Sequence, residues 1–254
     1  MKKREDTTID TLGEGDVEIA QHRKGYRFGL DALLLATDLP TIDPEATIVD
    51  LGAAQGVVAV CVARRYPKAR VIAVERQDSL YELLVENIAR NALEGRIEPV
   101  HGDVRDYRQI LASHSADLVL CNPPYFRRGE RRPSSNHQRA AARHELFGEL
   151  SDFVDAARYV LQQRGWFKVI SPPLRLGDLF DACKATDLSF DSLRFFHSHP
   201  GADAYLIEAL ARRGGAPDLT VRPPLYIYGN GDDHTEEVQR RIDRAPGAKR
   251  GATP

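Results

Sequence analysis

The densest chemistry in the chain sits at Cys121-Asn122-Pro123-Pro124-Tyr125. Asn122 offers a side-chain carbonyl and Tyr125 a flat ring. Pro124 fixes its own φ and pushes Pro123 towards extended geometry, so the Pro123 carbonyl has a set direction. Two oxygens and a ring can hold a planar amino group, the oxygens accepting its hydrogens and the ring stacking on its π system. The same residues also serve as strand-ending punctuation, so their neighbours must decide.

A second set recurs at regular intervals upstream: Asp50, Gly52 and Gly56, then Glu75, then Asp103. Small residues let a backbone approach a ligand closely. A carboxylate at Glu75 can accept from both hydroxyls of a ribose, and Asp103 can accept from an exocyclic amine. Singly, each acid reads as a helix cap or a solvated charge. Together they suit an adenosine-bearing ligand. The loop Asp50-Leu51-Gly52-Ala53-Ala54-Gln55-Gly56 does not match the G-x-G-x-x-G of a dinucleotide site. The alternative is S-adenosylmethionine, whose carboxylate and amine need backbone donors and an acceptor such as Asp50. A third set is electrostatic. Residues 127–143 hold six arginines (127, 128, 131, 132, 139 and 143) against one acid, Glu130, a local charge of +5. Such a loop is either a solvated surface or a grip for phosphates.

These residues need a frame, and the pattern around them supplies one. Apolar runs at 47–51, 71–74, 97–100 and 117–121 read as buried strands, with helices expected at 57–66 and 78–91, the latter capped by Asp78. Strand and helix alternating at this spacing predict an α/β fold, Rossmann-like, with a seven-stranded, mostly parallel sheet covered on both faces. In such a sheet ligands bind outside the carboxyl ends of the strands, where Gly52, Glu75, Asp103 and Asn122 all fall. Further on, a helix is expected at 149–163, a strand at 166–170, a helix at 174–185 and strands at 193–197 and 204–211, with an edge segment at 225–228. The expected organisation is an arm over 1–20, one catalytic domain over 21–230 and a polar tail over 231–254, disordered towards its end.

Composition narrows the setting. With 254 residues and 42% hydrophobic content the chain can bury a full core. A net charge of −2 excludes a general polycation, so any nucleic-acid contact must be a local patch. Three cysteines with no C-x-x-C pair argue against a disulfide framework and a structural zinc. No signal-peptide pattern or membrane-length apolar run is present, so the expectation is a cytoplasmic protein, monomeric, with no membrane and no metal.

The chain resembles the class I S-adenosylmethionine-dependent methyltransferases. Within them it is similar to the bacterial tRNA(Val) N6-adenine methyltransferases, which modify the adenosine just 3′ of the anticodon. The resemblance rests on Gln21, Gly25-Tyr26-Arg27-Phe28 and Asp31, Asp50-Leu51-Gly52, Glu75, Asn87 and Asn91. It continues through Asn122-Pro123-Pro124-Tyr125, Arg143-His144-Glu145, Arg194-Phe195-Phe196-His197 and Pro223-Pro224-Leu225-Tyr226-Ile227-Tyr228. It implies S-adenosylmethionine as cofactor and tRNA as partner. It implies a cofactor site of Arg27, Asp31, Asp50, Gly52, Gly56, Glu75, Asp103 and Asn122, and a catalytic tip of Asn122, Pro123, Pro124 and Tyr125. Substrate contacts would come from Arg127, Arg128, Arg131, Arg132 and Arg143. A flipped adenine would stack on Tyr125 and give its amino hydrogens to Asn122 and the Pro123 carbonyl. Methyl transfer would then be an in-line displacement helped by positioning and fixed dipoles. The chain departs from the family at Ala54, where a second glycine is usual; an alanine fits there if its φ stays negative. Methylation of a protein glutamine uses the same tip, DNA adenine methylation needs a target-recognition domain, and a non-catalytic nucleotide-binding module would bind cofactor without transfer.

Overall fold

The computed structural model describes residues 7–13, 16–125, 148–216, 218–229 and 231–246. The arginine-rich stretch falls outside them, so Arg127, Arg128, Arg131, Arg132, Arg139 and Arg143 are not placed.

The sheet is built as the apolar pattern dictates. Its strands are β3 (Thr47–Leu51), β4 (Arg70–Glu75), β5 (Ile97–His101), β6 (Ala116–Cys121), β7 (Leu161–Ser171), β8 (Leu188–His197) and β9 (Ala204–Arg213). They lie in the order β8-β9-β7-β6-β3-β4-β5. The five from β5 to β7 are parallel, and β9 runs antiparallel to both β7 and β8. Two further strands of two residues each, β10 (Thr220–Val221) and β11 (Leu225–Tyr226), extend the edge at β8. The expected seven-stranded sheet is thus present, with a short fringe. β3 and β6 pair directly and send alternate side chains to opposite faces. Ile48, Leu118 and Leu120 join a core with α1 (Leu30–Leu35), α2 (Val57–Arg65) and part of α3 (Asp78–Arg90). Val49, Val119 and Cys121 join the opposite core with α5 (Leu150–Val160) and α6 (Leu176–Ala185). A short helix, α4 (Tyr107–Ile110), closes the loop before β6. Both faces being dry explains why these strands read as continuous apolar runs.

One buried charge crosses the layers. Lys168 of β7 is 1% exposed, sits 2.9 Å from Glu208 of β9 and donates to the Thr37 carbonyl just past α1. Burial lowers the Lys168 pKa, and the Glu208 charge opposes that shift.

Several boundaries differ from the sequence expectation. Asp78 is the first residue of α3 and Gln77 its cap, so the acid acts on the helix dipole instead of capping. The helix expected to run to 163 ends at Val160, and β7 begins at once with Leu161, which pairs with Ala116. Within and just past the expected arm over 1–20, residues Thr7–Leu12 (β1) and Val17–His22 (β2) form an antiparallel hairpin. Its dock is α3. Asn87 exchanges two hydrogen bonds with the Ala20 backbone (2.7 and 2.9 Å) and Asn91 two with Glu18 (3.1 and 2.8 Å), so two amides one helical turn apart imitate a strand edge. Within the expected polar tail, Glu236–Arg244 forms a helix, α7. Thr235 caps it by accepting from the Val238 amide, and Val238 and Ala245 are fully buried. Disorder was expected over 244–254; Arg244 instead ends α7 and Ala245 and Pro246 are buried, while residues 247–254 lie outside the described chain.

Candidate active site

The tip follows β6 at the centre of the parallel sheet, as expected. Its organiser is a residue from far away in sequence. Asp31, in the first turn of α1, accepts from the Asn122 amide nitrogen at 2.9 Å and from the Tyr125 hydroxyl. An ionised carboxylate only accepts, so it fixes which way the Asn122 amide faces. The Asn122 Oδ1 is consequently turned away from Asp31, buried and without a protein partner. Pro123 is buried and Tyr125 half-buried, its ring packed against the α1–α2 core. Burial, then the Asp31 charge, pushes the Tyr125 phenol well above its ordinary pKa, so its proton stays on to bind Asp31.

The glycine turn faces this tip from the end of β3. Gly52 and Gly56 have φ of 76° and 87°, which glycine adopts without strain. A Cβ at Gly56 would also lie 2.4 Å from Leu84 of α3. Ala54 has φ of 50°, so the negative φ expected of it is not what the structure holds. The turn closes through its own amides. Gly52 and Ala53 both donate to the Val74 carbonyl at 2.9 and 2.8 Å, and Ala54 donates to Glu75 at 2.9 Å. Those three donors are used inside the protein. Glu75 also accepts from Gln77 at 2.7 Å. Burial raises its pKa, and these backbone bonds oppose the rise.

Asp50 lies 2% exposed at the end of β3, with one carboxylate oxygen unpartnered. Burial pushes its pKa up to about 7, with some relief from the Ala59 backbone and a further rise from Glu75. Gln55 is wholly buried, and neither polar atom of its side chain has a partner. Buried groups of this kind each cost about 1–3 kcal/mol unless something satisfies them. Such an acceptor-rich set fits S-adenosylmethionine: a carboxylate for its amine at Asp50, a carboxylate for its ribose diol at Glu75, and a glycine turn between.

Tyr26 joins these acids, and its residue type alone did not single it out. Burial raises its phenol pKa, and the charges of Asp31, Glu75 and Asp50 raise it further, in that order. One phenol therefore feels the tip's organiser and both cofactor-side carboxylates. Two expected cofactor residues stand differently. Arg27 reaches back to the hairpin, donating to Thr8, the His22 carbonyl and Asp10. Asp103 is at the β5 end as expected, but Arg105 and Arg76 hold it, Arg76 at 3.0 Å. Burial alone would raise the Asp103 pKa; the hydrogen bonds and charge of Arg105, with Arg76, outweigh it and hold it low.

Residues 28–172 match the family model described as the methyltransferase small domain. A tRNA1(Val) (adenine(37)-N6)-methyltransferase of Porphyromonas gingivalis is 31% identical over 64% of this chain and 65% of its own length, just under two thirds. One of the same name from Pedobacter heparinus is 28% identical over 71% of this chain and 75% of its own. Among solved structures, a "predicted O-methyltransferase" of Agrobacterium tumefaciens superposes with a TM-score of 0.69 at 26% identity, covering 87% of this chain and 100% of that one. The matched span runs from just before α1, which carries Asp31, to just past the end of β7, and so contains both halves of the site. This chain belongs to the methyltransferase small domain family, built on the class I S-adenosylmethionine-dependent methyltransferase fold.

Proposed function

We propose that the chain methylates N6 of an adenosine in tRNA, and that its target is the adenosine beside the anticodon of a valine tRNA. One observation carries the reading: Asp31 holds the Asn122 nitrogen and the Tyr125 hydroxyl, leaving the Asn122 Oδ1 as an aimed, partnerless acceptor. That oxygen and the Pro123 carbonyl take the two hydrogens of an exocyclic amine, which draws its lone pair out of ring conjugation and fixes its direction. Tyr125 bounds the base face. Bound S-adenosylmethionine supplies an electrophilic methyl group. Asp50 and Glu75 hold that cofactor by its amine and its ribose, the Gly52–Gly56 turn lies against it, and Asn122 sits where cofactor and substrate meet. Arg27 and Asp103 serve the cofactor indirectly, by bracing the hairpin and the β5 end.

Five of the arginines, Arg127, Arg128, Arg131, Arg132 and Arg143, take the tRNA phosphates in this reading. The stretch starts two residues after Tyr125, and Gly148, at its far side, abuts Phe153 and Val104, the former also packing on Gly52. The described residues at both ends of the stretch, Tyr125 and Gly148, therefore lie by the site. Transfer breaks the sulfur–methyl bond and releases S-adenosylhomocysteine, and the methylated nitrogen sheds its extra proton to water, so neither a strong base nor a metal is required. The proposed setting is a cytoplasmic monomer. Among the described residues no helix is long and apolar enough to cross a membrane.

The test is to incubate the protein and S-adenosylmethionine with unmodified tRNA, then identify the product nucleoside by mass spectrometry. N6-methyladenosine in valine tRNA is expected. Cofactor binding with no methylated nucleoside in any tRNA would overturn the reading.

A further inference from the structure

A cavity of about 220 Å³ opens away from the methyl-transfer site. It is bounded by the segment just after α1 (Thr37, Asp38), by Arg65 in the last turn of α2, and by α7 (Glu237, Arg240, Arg241, Arg244). α2 begins beside the glycine turn and runs nine residues, about 13 Å, to Arg65. The cavity is therefore at the other end of that helix from the tip.

Its charges do not cancel. Arg241 pairs with Asp38 and, at 2.8 Å, with Glu237. Arg194 lies 3.7 and 3.5 Å from the same two acids. Two guanidiniums thus neutralise both acids of the cavity. Among the described residues no carboxylate pairs with Arg65, Arg240 or Arg244. Among the described residues Arg240 donates only to the Glu236 backbone carbonyl, at 3.2 Å, which leaves its charge unmatched. The C-terminal ends of α1 and α2 add only partial negative charge, about half a unit each, less than three guanidiniums without a carboxylate. A second observation points the same way. Arg241 is 8% exposed, and its Nε has no partner. A chain of net charge −2 has thus gathered unmatched cations from two separate helices.

The geometry points to an oxyanion site at this cavity, with a phosphate group as its ligand. Guanidiniums match phosphate oxygens in planar, bidentate fashion, and several acting together suit a doubly charged group. The volume falls below the range of roughly 300–1,000 Å³ that encloses whole small-molecule ligands, so it suits a phosphoryl group with water. That group comes either from free inorganic phosphate or from a nucleic-acid backbone. In the second case it anchors a phosphodiester more than 10 Å from the target base.

The test uses the whole protein and three variants: Arg65→Gln, Arg240→Gln with Arg244→Gln, and the triple. Arg240 and Arg244 are exposed, so folding is expected to persist, and the melting temperature in chloride checks it. Melting temperature is read against inorganic phosphate at constant ionic strength, with chloride as control. Affinity for unmodified tRNA is read against salt. The wild type is expected to gain a few degrees with phosphate. Loss of that gain in Arg65→Gln and in the double variant, with the tRNA salt slope unchanged, assigns the free anion. A salt slope lowered by about one per arginine removed assigns the backbone phosphate. The proposal is overturned if phosphate shifts wild type and variants alike, or not at all, and the salt slopes coincide. The phosphate arm involves no RNA, so it stands or falls separately from the methyl-transfer reading.

Discussion

In the proposed reaction a single carboxamide, that of Asn122, carries the chemistry, and its usefulness depends on what holds it. Asn122→Ala removes the partnerless acceptor while leaving Asp50, Glu75 and the turn in place. Turnover is expected to fall by about 10²–10³, the scale of losing one positioned polar group in a transition state, with cofactor affinity nearly intact by calorimetry. Asp31→Ala is expected to act through its two dependants. It frees the Asn122 amide to rotate and leaves the Tyr125 hydroxyl without its acceptor, so turnover should drop while KM for tRNA changes less. A steady-state comparison checks it, and an unchanged turnover number would remove Asp31 from the machinery. The tip was readable in the sequence only with its neighbours: alone, Asn, two prolines and Tyr also serve as strand-ending punctuation, and Asp50, Gly52, Glu75 and Asp103 at the other strand ends favoured a site. The role of Asp31 was not readable. It depends on a helix 91 positions upstream being set against the end of β6, and no local pattern reports that. The φ of Ala54 was equally invisible, because an alanine gives no sign of the left-handed region it is held in.

Elements set this geometry through the turn and the hairpin dock. Ala54 at φ 50° is strained by the clash of its Cβ with the backbone. Ala54→Gly is therefore expected to raise stability by about 1 kcal/mol or somewhat less, since glycine also gains entropy when unfolded. A urea melt with unchanged slope would show it; a loss of stability would mean the neighbours, not the backbone, decide that position. Asn87 is wholly buried, and its amide also donates to the Gln55 carbonyl at 2.8 Å, so it joins hairpin, α3 and cofactor turn. Asn87→Ala leaves buried backbone groups unsatisfied and should cost about 3 kcal/mol. Its melt should also show weaker cofactor binding, because the turn loses its brace. Most of the sheet was legible because strands buried on both faces announce themselves as apolar runs. The hairpin was not, since its partner is a pair of helix amides. α7 was missed although Thr235-Glu236-Glu237 is a fair start signal, because its polar residues outweigh the few, Val238 and Ala245, that anchor it.

At the scale of the whole molecule, Asp50 contributes a pH dependence to stability. Asp50 titrates near 7 when folded and near 3.8 when unfolded. Below about pH 4 the carboxyl is protonated in both states. Between the two values only the unfolded chain ionises it, so stability falls as pH rises through that window and levels off above it. Each pH unit is worth about 1.4 kcal/mol at most. Asp50→Asn should flatten the slope and be the more stable protein at pH 8, yet bind S-adenosylmethionine more weakly. Parallel slopes for the two proteins between pH 5 and 8 would contradict this origin. The measurement that bears most directly on the whole account is methyl transfer from labelled S-adenosylmethionine to unmodified tRNA by wild type and Asn122→Ala, with cofactor affinity taken on the same samples. The account predicts transfer to adenosine by the wild type and near-complete loss in the variant at equal cofactor affinity. Equal transfer by both proteins would contradict it.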